Sequence, residues 1–218
     1  MSEIQLKNKA IIKQLDSYVD EFFDRVDYKN VLYKVSSHEY GMHIKPSYFM
    51  SEKFLREWKL QMPHSGFPEE HMAMPMSNIV RHRPDLKDFE TRVRNGFSED
   101  IGAHSSALFN YYPPEGGVGW HTNWNASAYQ VLFTWSRDGN GFFRYYDKAK
   151  DEVVTIEDKP GWQARHYFFA EESDVDNHCW HAAYTECDRI TLAYKFIGEE
   201  AIPLRDDLIM ELEDETGN

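Results

Sequence analysis

The sequence predicts a mainly β domain, a sandwich or barrel of short strands that N-terminal helices support. From Ser105 onward, short runs of apolar and aromatic residues recur at near-regular spacing. Turn sequences such as Asp138-Gly139-Asn140-Gly141 separate these runs. The first hundred residues instead carry apolar side chains at helical steps. Because the short strands follow one another directly, this pattern indicates a sandwich or barrel and not a parallel βαβ sheet.

The N-terminal third predicts three helices. Residues 11–26 place apolar side chains at three- and four-residue steps, which is typical of an amphipathic helix. Ser51 suits the cap of a second helix. Pro84 suits the first position of a third helix, and Asn95-Gly96 its end. The intervening segment 61–76 is rich in proline, methionine and histidine and is predicted as a long loop.

The strand region ends in a helical tail. The predicted strands of the regular pattern are 107–112, 129–135, 141–146, 152–156, 162–169 and 190–196. After Pro203, leucines recur at four-residue steps, which predicts a short acidic helix that packs on the strands. We therefore expect a helical and loop region at 1–104, a β core at 105–198 and an acidic tail at 199–218, together forming one structural domain.

Charge and composition exclude several classes of protein. The 218 residues include 24 Lys and Arg against 37 Asp and Glu, a net charge of −13, which disfavours nucleic acid as a partner. No apolar run approaches the roughly 20 residues that cross a bilayer, and the N-terminus has no signal-peptide pattern. Two cysteines, Cys179 and Cys187, cannot form a disulfide framework. We expect a soluble, unexported, cytoplasmic protein that does not bind membranes.

Two segments carry the residues suited to chemistry. In the first, a strand with Asn110 leads through a glycine-rich turn to His121, and Asn123 follows two positions later. Alternate residues of a strand face the same side, so His121 and Asn123 are expected to converge. The second segment carries His181 and, eight residues later, Arg189. A fold that sets the two strands side by side would bring the histidines together and place Arg189 deeper.

In this order and spacing, residues 110–196 resemble the Fe(II)/2-oxoglutarate-dependent dioxygenases. That family carries H-x-D…H on a double-stranded β-helix, with an arginine eight to eleven residues after the second histidine. The spacing of Asn110, Tyr112 and His121 is similar to the N-x-Y-x(8)-H arrangement of the alkylation-repair branch. The resemblance implies a jelly-roll, cupin-like double-stranded β-helix supported by α-helices, as in prolyl-hydroxylase-like and alkylation-repair-like members.

The resemblance also implies an activity, which is hydroxylation of a C–H bond in a small molecule, amino acid or peptide side chain, with succinate and CO₂ as co-products. Two imidazoles and one oxygen donor leave three positions open on a ferrous ion, and an arginine fork matches a carboxylate. The implied roles are iron binding by His121, Asn123 and His181, and 2-oxoglutarate binding by Arg189, Thr191, Tyr112 and Asn110. The substrate itself and the oligomeric state are not predicted.

Asn123 departs from the family motif, which has an acid at this position. An amide oxygen is a neutral and weaker donor than a carboxylate, so several alternatives stay open. Asn123 coordinates through its oxygen, or water completes a two-histidine site, or the site is inactive and the chain is a β-barrel binding module. Halide-transferring members also lack the acid, although they usually carry a small residue in its place.

The second histidine has an alternative in His178, which lies eleven residues before Arg189. His181 is preferred because Ala182, Ala183 and the turn that follows them leave an uninterrupted strand toward Arg189. A set of three histidines and a zinc site that includes Cys179 are further alternatives. On one extended strand, however, the odd spacing of 178 and 181 would send their side chains to opposite faces. Either histidine, finally, is open to the simpler interpretation of a strand-end residue that hydrogen-bonds the backbone.

Overall fold

Two antiparallel sheets lie face to face in this computed structural model, which describes residues 1–26, 45–62, 66, 68, 71–123 and 127–215. In chain order, the strands of these described residues are β1 (Ser2–Ile4), β2 (His71–Met72), β3 (Met74–Pro75), β4 (Ser105–Tyr112), β5 (Gly117–His121), β6 (Ala128–Ser136), β7 (Gly141–Asp147), β8 (Glu152–Glu157), β9 (Gly161–Phe169), β10 (His181–Thr185) and β11 (Arg189–Phe196). The six strands predicted from the regular pattern are all present, with ends that differ by one or two residues.

The order of the strands is that of a double-stranded β-helix. One sheet has the order β1-β9-β6-β11-β4-β3 and the other β2-β5-β10-β7-β8. From β4 to β11 each strand crosses to the opposite sheet, except at the β7–β8 hairpin, and all pairs in these sheets are antiparallel. The mainly β, jelly-roll fold with additional helices that the sequence predicts is therefore confirmed.

The first predicted helix is α1 (Lys9–Arg25). The Oδ1 atom of Asn8 accepts hydrogen bonds from the first backbone N–H groups of the helix, at 3.0 and 3.1 Å. One stripe of α1 is buried, and Phe22 within it contacts Tyr111 of β4 with ring centroids 5.0 Å apart. The helix thus covers the outer face of the six-stranded sheet, as its apolar stripe predicts.

The other N-terminal helices are short. They are α2 (Glu52–Phe54), α3 (Met76–His82), α4 (Lys87–Thr91) and α5 (Phe97–Asp100). Ser51 caps α2 as predicted, because its Oγ accepts the Phe54 N–H at 3.1 Å. Pro84 opens a 3₁₀ turn, Pro84–Leu86, that leads into α4. Segment 61–76, predicted as a loop, contributes β2 and β3 to the two sheet edges, while its residues 63–65, 67, 69 and 70 lie outside the described residues.

The predicted helix end at Asn95-Gly96 is wrong. A π-helical turn, Arg92–Gly96, continues the chain from α4 into α5. Gly96 has right-handed helical torsion angles (φ −58°, ψ −50°) and makes no left-handed stop. Val93 and Phe97, on either side of it, are both completely buried. The apolar packing of the two side chains against the sheet therefore overrides the local stop signal.

Strand β11 packs against the helices with one face and lines the space between the sheets with the other. Its residues Ile190, Leu192, Tyr194 and Phe196 are buried in the core between the six-stranded sheet and the helices. The alternate residues face the space between the sheets. The tail helix α6 (Ile202–Glu213) buries Leu208 and Leu212 as predicted but leaves Leu204 47% exposed. In the described part of the chain, no helix combines the length and apolar character that crossing a membrane requires.

Candidate functional site

A cavity of about 300 Å³ lies between the two sheets. Its walls contain all seven residues to which the resemblance assigns a role: Asn110, Tyr112, His121, Asn123, His181, Arg189 and Thr191. The described lining also includes Lys195 but neither aspartate nor glutamate. In a chain of net charge −13, a cavity wall that carries cations and no acid is suited to anionic ligands.

His121 and His181 face each other across two paired strands. His121 ends β5, His181 begins β10, and the two are direct partners in the antiparallel ladder. Their ring centroids lie 4.1 Å apart, with the planes at 48°. The Nδ1 atom of each ring hydrogen-bonds a carbonyl two residues earlier, that of Gly119 at 2.8 Å and that of Cys179 at 2.9 Å. These bonds assign the proton of each neutral ring to Nδ1 and the lone pair to Nε2.

Burial keeps both rings neutral at neutral pH. It lowers the pKa of His181 to about 4. It also lowers the pKa of His121 well below the usual value, an effect to which the neighbouring His181 adds. Phe143 and Phe169 enclose the pair, with centroids 5.7 and 5.0 Å from that of His181. Two neutral imidazoles with ring centroids 4.1 Å apart are a suitable pair of donors for a divalent transition metal.

The third predicted ligand, Asn123, lies just beyond the end of β5. Its half-buried side chain lines the same cavity as the histidine pair. Among the described residues, no cluster of three or more histidine, cysteine, aspartate or glutamate side chains is arranged to hold a metal ion. Asn123 thus shares the cavity wall with the two imidazoles, and its role as a third ligand stays a prediction.

Arg189 is held in place by a carboxylate that sequence reasoning missed. Its side chain is 1% exposed, and its Nε donates to Oδ2 of the fully buried Asp158 at 2.8 Å. Its Nη1 donates to Oγ1 of Thr191 at 2.7 Å, and the guanidinium carbon lies 5.1 Å from the centroid of the Tyr112 ring. Burial disfavours the charged guanidinium, but the attraction and hydrogen bond of Asp158, together with contributions from Tyr112 and Cys187, outweigh that effect and raise the pKa of Arg189.

Polar atoms on the cavity side of this cluster remain available to a ligand. Among the described residues, Nη2 of Arg189 makes no hydrogen bond. Oδ1 of the buried Asn110 likewise has no hydrogen-bond partner there. A buried polar group without a partner costs free energy that a ligand or water can recover. The Nη2 atom of Arg189 is a donor and fits a carboxylate, although Asp158 already offsets the charge of Arg189, whereas Oδ1 of Asn110 only accepts and requires a donor such as a hydroxyl or water.

The alternative second histidine, His178, does not line the cavity. Its Nε2 lies 2.9 and 3.1 Å from the carbonyl oxygens of Glu171 and Glu172. The nitrogen is thus engaged with backbone, which is the simpler interpretation considered for a histidine at a strand end. Neither the three-histidine set nor the zinc site with Cys179 forms within the described ranges.

Further lining residues were missed but follow from strand alternation. Gln130 and Thr134 of β6 lie directly opposite Lys195 and Thr191 of β11, and all four side chains line the cavity. Continuing the inward-facing positions from Arg189 and Thr191 to 193 and 195 would have found Lys195. Asp158 gives no such signal, because it lies in a turn sequence, Asp158-Lys159-Pro160-Gly161, where aspartate is usually solvent-exposed.

Comparison with known proteins gives partial likenesses to solved structures. No family model and no curated protein matches the chain. Peruvianin-I, a cysteine peptidase from Thevetia peruviana latex, is 12% identical with a TM-score of 0.28, over 40% of this chain and 47% of its own. A Pseudomonas putida prolyl-4-hydroxylase is 15% identical with a TM-score of 0.32, over 56% of this chain and 62% of its own. A cupin domain from Bordetella pertussis is 15% identical with a TM-score of 0.27, over 42% and 78%. The chain thus spans about half the length of Peruvianin-I and less than two thirds of the hydroxylase.

Proposed function

We propose that the chain is an Fe(II)- and 2-oxoglutarate-dependent oxygenase that hydroxylates a C–H bond of a small molecule, amino acid or peptide side chain. The observation that carries the proposal is the facing pair His121 and His181, both neutral, in one cavity with Arg189. The proposed reaction converts 2-oxoglutarate, dioxygen and the C–H group to succinate, CO₂ and the alcohol.

The metal would be held by Nε2 of His121 and His181, with the amide oxygen of Asn123 as a third donor. When bound, Fe(II) supplies the redox chemistry with dioxygen, which protein side chains alone do not provide. The carbonyl oxygens of Gly119 and Cys179 accept hydrogen bonds from the Nδ1–H groups, which fixes the tautomer of each ring and leaves the lone pair on Nε2 for the metal. Phe143 and Phe169 limit the access of water to the pair.

The distal carboxylate of 2-oxoglutarate would be received by Nη2 of Arg189, with Thr191, Tyr112 and Asn110 around it. Asp158 fixes the guanidinium in one orientation and offsets its charge. Compared with an H-x-D motif, Asn123 leaves the metal end one charge more positive, and Asp158 makes the arginine end one charge less positive. The dianion should therefore depend on the metal for much of its affinity.

The proposal is tested by anaerobic titration of the full chain with Fe(II) and 2-oxoglutarate. We expect a weak visible charge-transfer band that His121→Ala and His181→Ala abolish, because each removes one of the two imidazole donors. The matched control is His178→Ala, which should keep the band because His178 lies outside the cavity. Neither a band nor calorimetric binding of 2-oxoglutarate in the wild-type protein would contradict the proposal.

A second candidate is a binding module of the same fold without catalysis. The neutral Asn123 and the Asp158 carboxylate already paired with Arg189 favour it. Formation of succinate above the metal-free background, lost in His121→Ala, would exclude this candidate. Asn123→Asp separates the two candidates further, since a gain in iron affinity and turnover would show that the absence of the acid impairs the metal site. A loss of activity would instead identify Asn123 as functional.

A further inference from the structure

The inner face of β11 places two cations at opposite ends of one cavity. Arg189, Thr191, Ala193 and Lys195 are alternate residues of this strand, and all four line the cavity. At about 3.3 Å per residue, the backbone of Lys195 lies about 20 Å along the strand from that of Arg189. Ala193 and its partner Leu132 form an apolar step between the two polar ends. The cavity therefore has two separate positions where an anion would be stabilised.

At the second position, Lys195 lies beside a buried amide. Gln130 is its direct partner on β6, so the two Cβ atoms are about 5 Å apart on the same face. The side chain of Gln130 is only 6% exposed and lines the cavity. Within the described ranges, neither side chain makes a hydrogen bond or an ion pair. The guanidinium of Arg189 forms an ion pair with the carboxylate of Asp158, whereas the ammonium of Lys195 forms no ion pair within the described residues.

This second position is at the histidine end of the cavity. The Phe169 ring lies 5.0 Å from that of His181. On β9, Phe169 is two residues from Tyr167, and Tyr167 is the ladder partner of Gln130 on β6. Arg189 pairs instead with Ser136, at the far end of β6. A molecule bound at Lys195 and Gln130 would therefore approach the histidine pair without occupying the space beside Arg189.

We propose that Lys195 and Gln130 bind a carboxylate of the substrate, and that the substrate is a small monocarboxylic acid with an apolar body. One ammonium and one amide N–H group match a singly charged carboxylate. Leu108, Leu132 and Phe169 offer apolar surface next to them. The identification of this ligand as the substrate rests on the proposed function, whereas the carboxylate-binding site does not.

Binding of hexanoate to the metal-free full chain tests the inference by ligand-observed NMR titration. Wild-type protein should bind hexanoate about tenfold more tightly than the neutral hexanamide, because only the acid gains a charge-assisted hydrogen bond. Lys195→Met should remove about that tenfold preference, and Lys195→Arg should retain most of it. Lys159→Met is the matched control, since this exposed lysine pairs with Glu3 outside the cavity.

Failure to bind hexanoate, equal affinity for the two probes, or an unchanged preference in Lys195→Met would each overturn the inference. Circular dichroism of the variant verifies that it is folded. Because the titration needs neither metal nor turnover, its outcome is separate from that of the iron and 2-oxoglutarate experiment. A preference that depends on Lys195, together with the absence of both a charge-transfer band and calorimetric binding of 2-oxoglutarate, would refute the oxygenase and retain the carboxylate site.

Discussion

Replacement of Asp158 by asparagine would leave the guanidinium of Arg189 buried without a carboxylate. Both side chains are within 1% of complete burial, and the bond between them measures 2.8 Å. Removing one partner of a buried ion pair typically costs about 3–5 kcal/mol of unfolding free energy, because the remaining charge is desolvated and uncompensated. We expect a loss of that size for Asp158→Asn. We expect a comparable loss for Arg189→Met, because this change leaves the carboxylate of Asp158 buried without its cationic partner.

The double variant gives the decisive comparison. With both charges of the pair removed, neither position keeps a buried charge without its partner, so Asp158→Asn with Arg189→Met should lose only about 0–2 kcal/mol relative to wild type. The two single losses should thus be strongly non-additive. Such a result would show that the pair places and compensates the guanidinium and does not by itself supply net stability.

Urea unfolding at pH 7.5, followed by circular dichroism and tryptophan fluorescence, measures all four proteins. Asp151→Asn serves as a surface control, because Asp151 pairs with Arg56 in solvent and its loss should leave stability nearly unchanged. A loss below about 1 kcal/mol in Asp158→Asn, or a double variant whose loss equals the sum of the single losses, would refute the reasoning.

Two further predictions concern pH and backbone. Because burial lowers the pKa of His181 to about 4 while an unfolded histidine titrates near 6.5, its stabilising contribution is complete above 6.5 and is lost as the pH falls toward 4. The metal-free protein should lose about 2 kcal/mol more than His181→Gln between pH 7.5 and 5.0 in urea unfolding, and equal losses would contradict the assignment. Gly141→Ala should destabilise by about 1–3 kcal/mol, since its Cβ would lie 2.7 Å from Oδ2 of Asp158 and 2.9 Å from the Tyr184 carbonyl oxygen. Gly96→Ala, with nothing within 4 Å and a helical backbone, should stabilise by about 0.5–1 kcal/mol; thermal unfolding measures both, and the opposite signs would refute the packing argument.

The strands that line the cavity were predictable because two independent signals agree along them. Short runs of apolar and aromatic residues and the turn sequences that separate these runs both mark β6, β9 and β11, so their ends are located to within one or two residues. The strands that carry His121 and His181, β5 and β10, are not among the six predicted from this pattern, and the approach of the two histidines was expected from a fold that sets their segments side by side. Strands β1, β2 and β3 were not predicted, because two or three residues are too few to show a period.

The residues that sequence reasoning missed depend on long-range contacts. Asp158 looks like an ordinary turn residue and becomes informative only beside Arg189, which is 31 positions away in sequence. Gly96 carries a local stop signal that the burial of Val93 and Phe97 overrides. Neither outcome is encoded in the residues adjacent to it, whereas Lys195 and Gln130 were available from periodicity alone.

The alternation of β11 makes this strand intolerant of insertions and deletions. Its odd- and even-numbered residues lie on opposite faces of the sheet. The side chains of Arg189, Thr191 and Lys195 line the cavity, whereas those of Ile190 and Leu192 pack in the core against the helices. Adding or removing one residue within it would exchange the two sets and bury a guanidinium among hydrocarbon side chains. Point substitutions at cavity positions leave the helical layer intact. Variation in ligand preference is therefore accessible through exchange of the side chains at Thr191 and Lys195, whereas a change in the length of β11 would disrupt the fold.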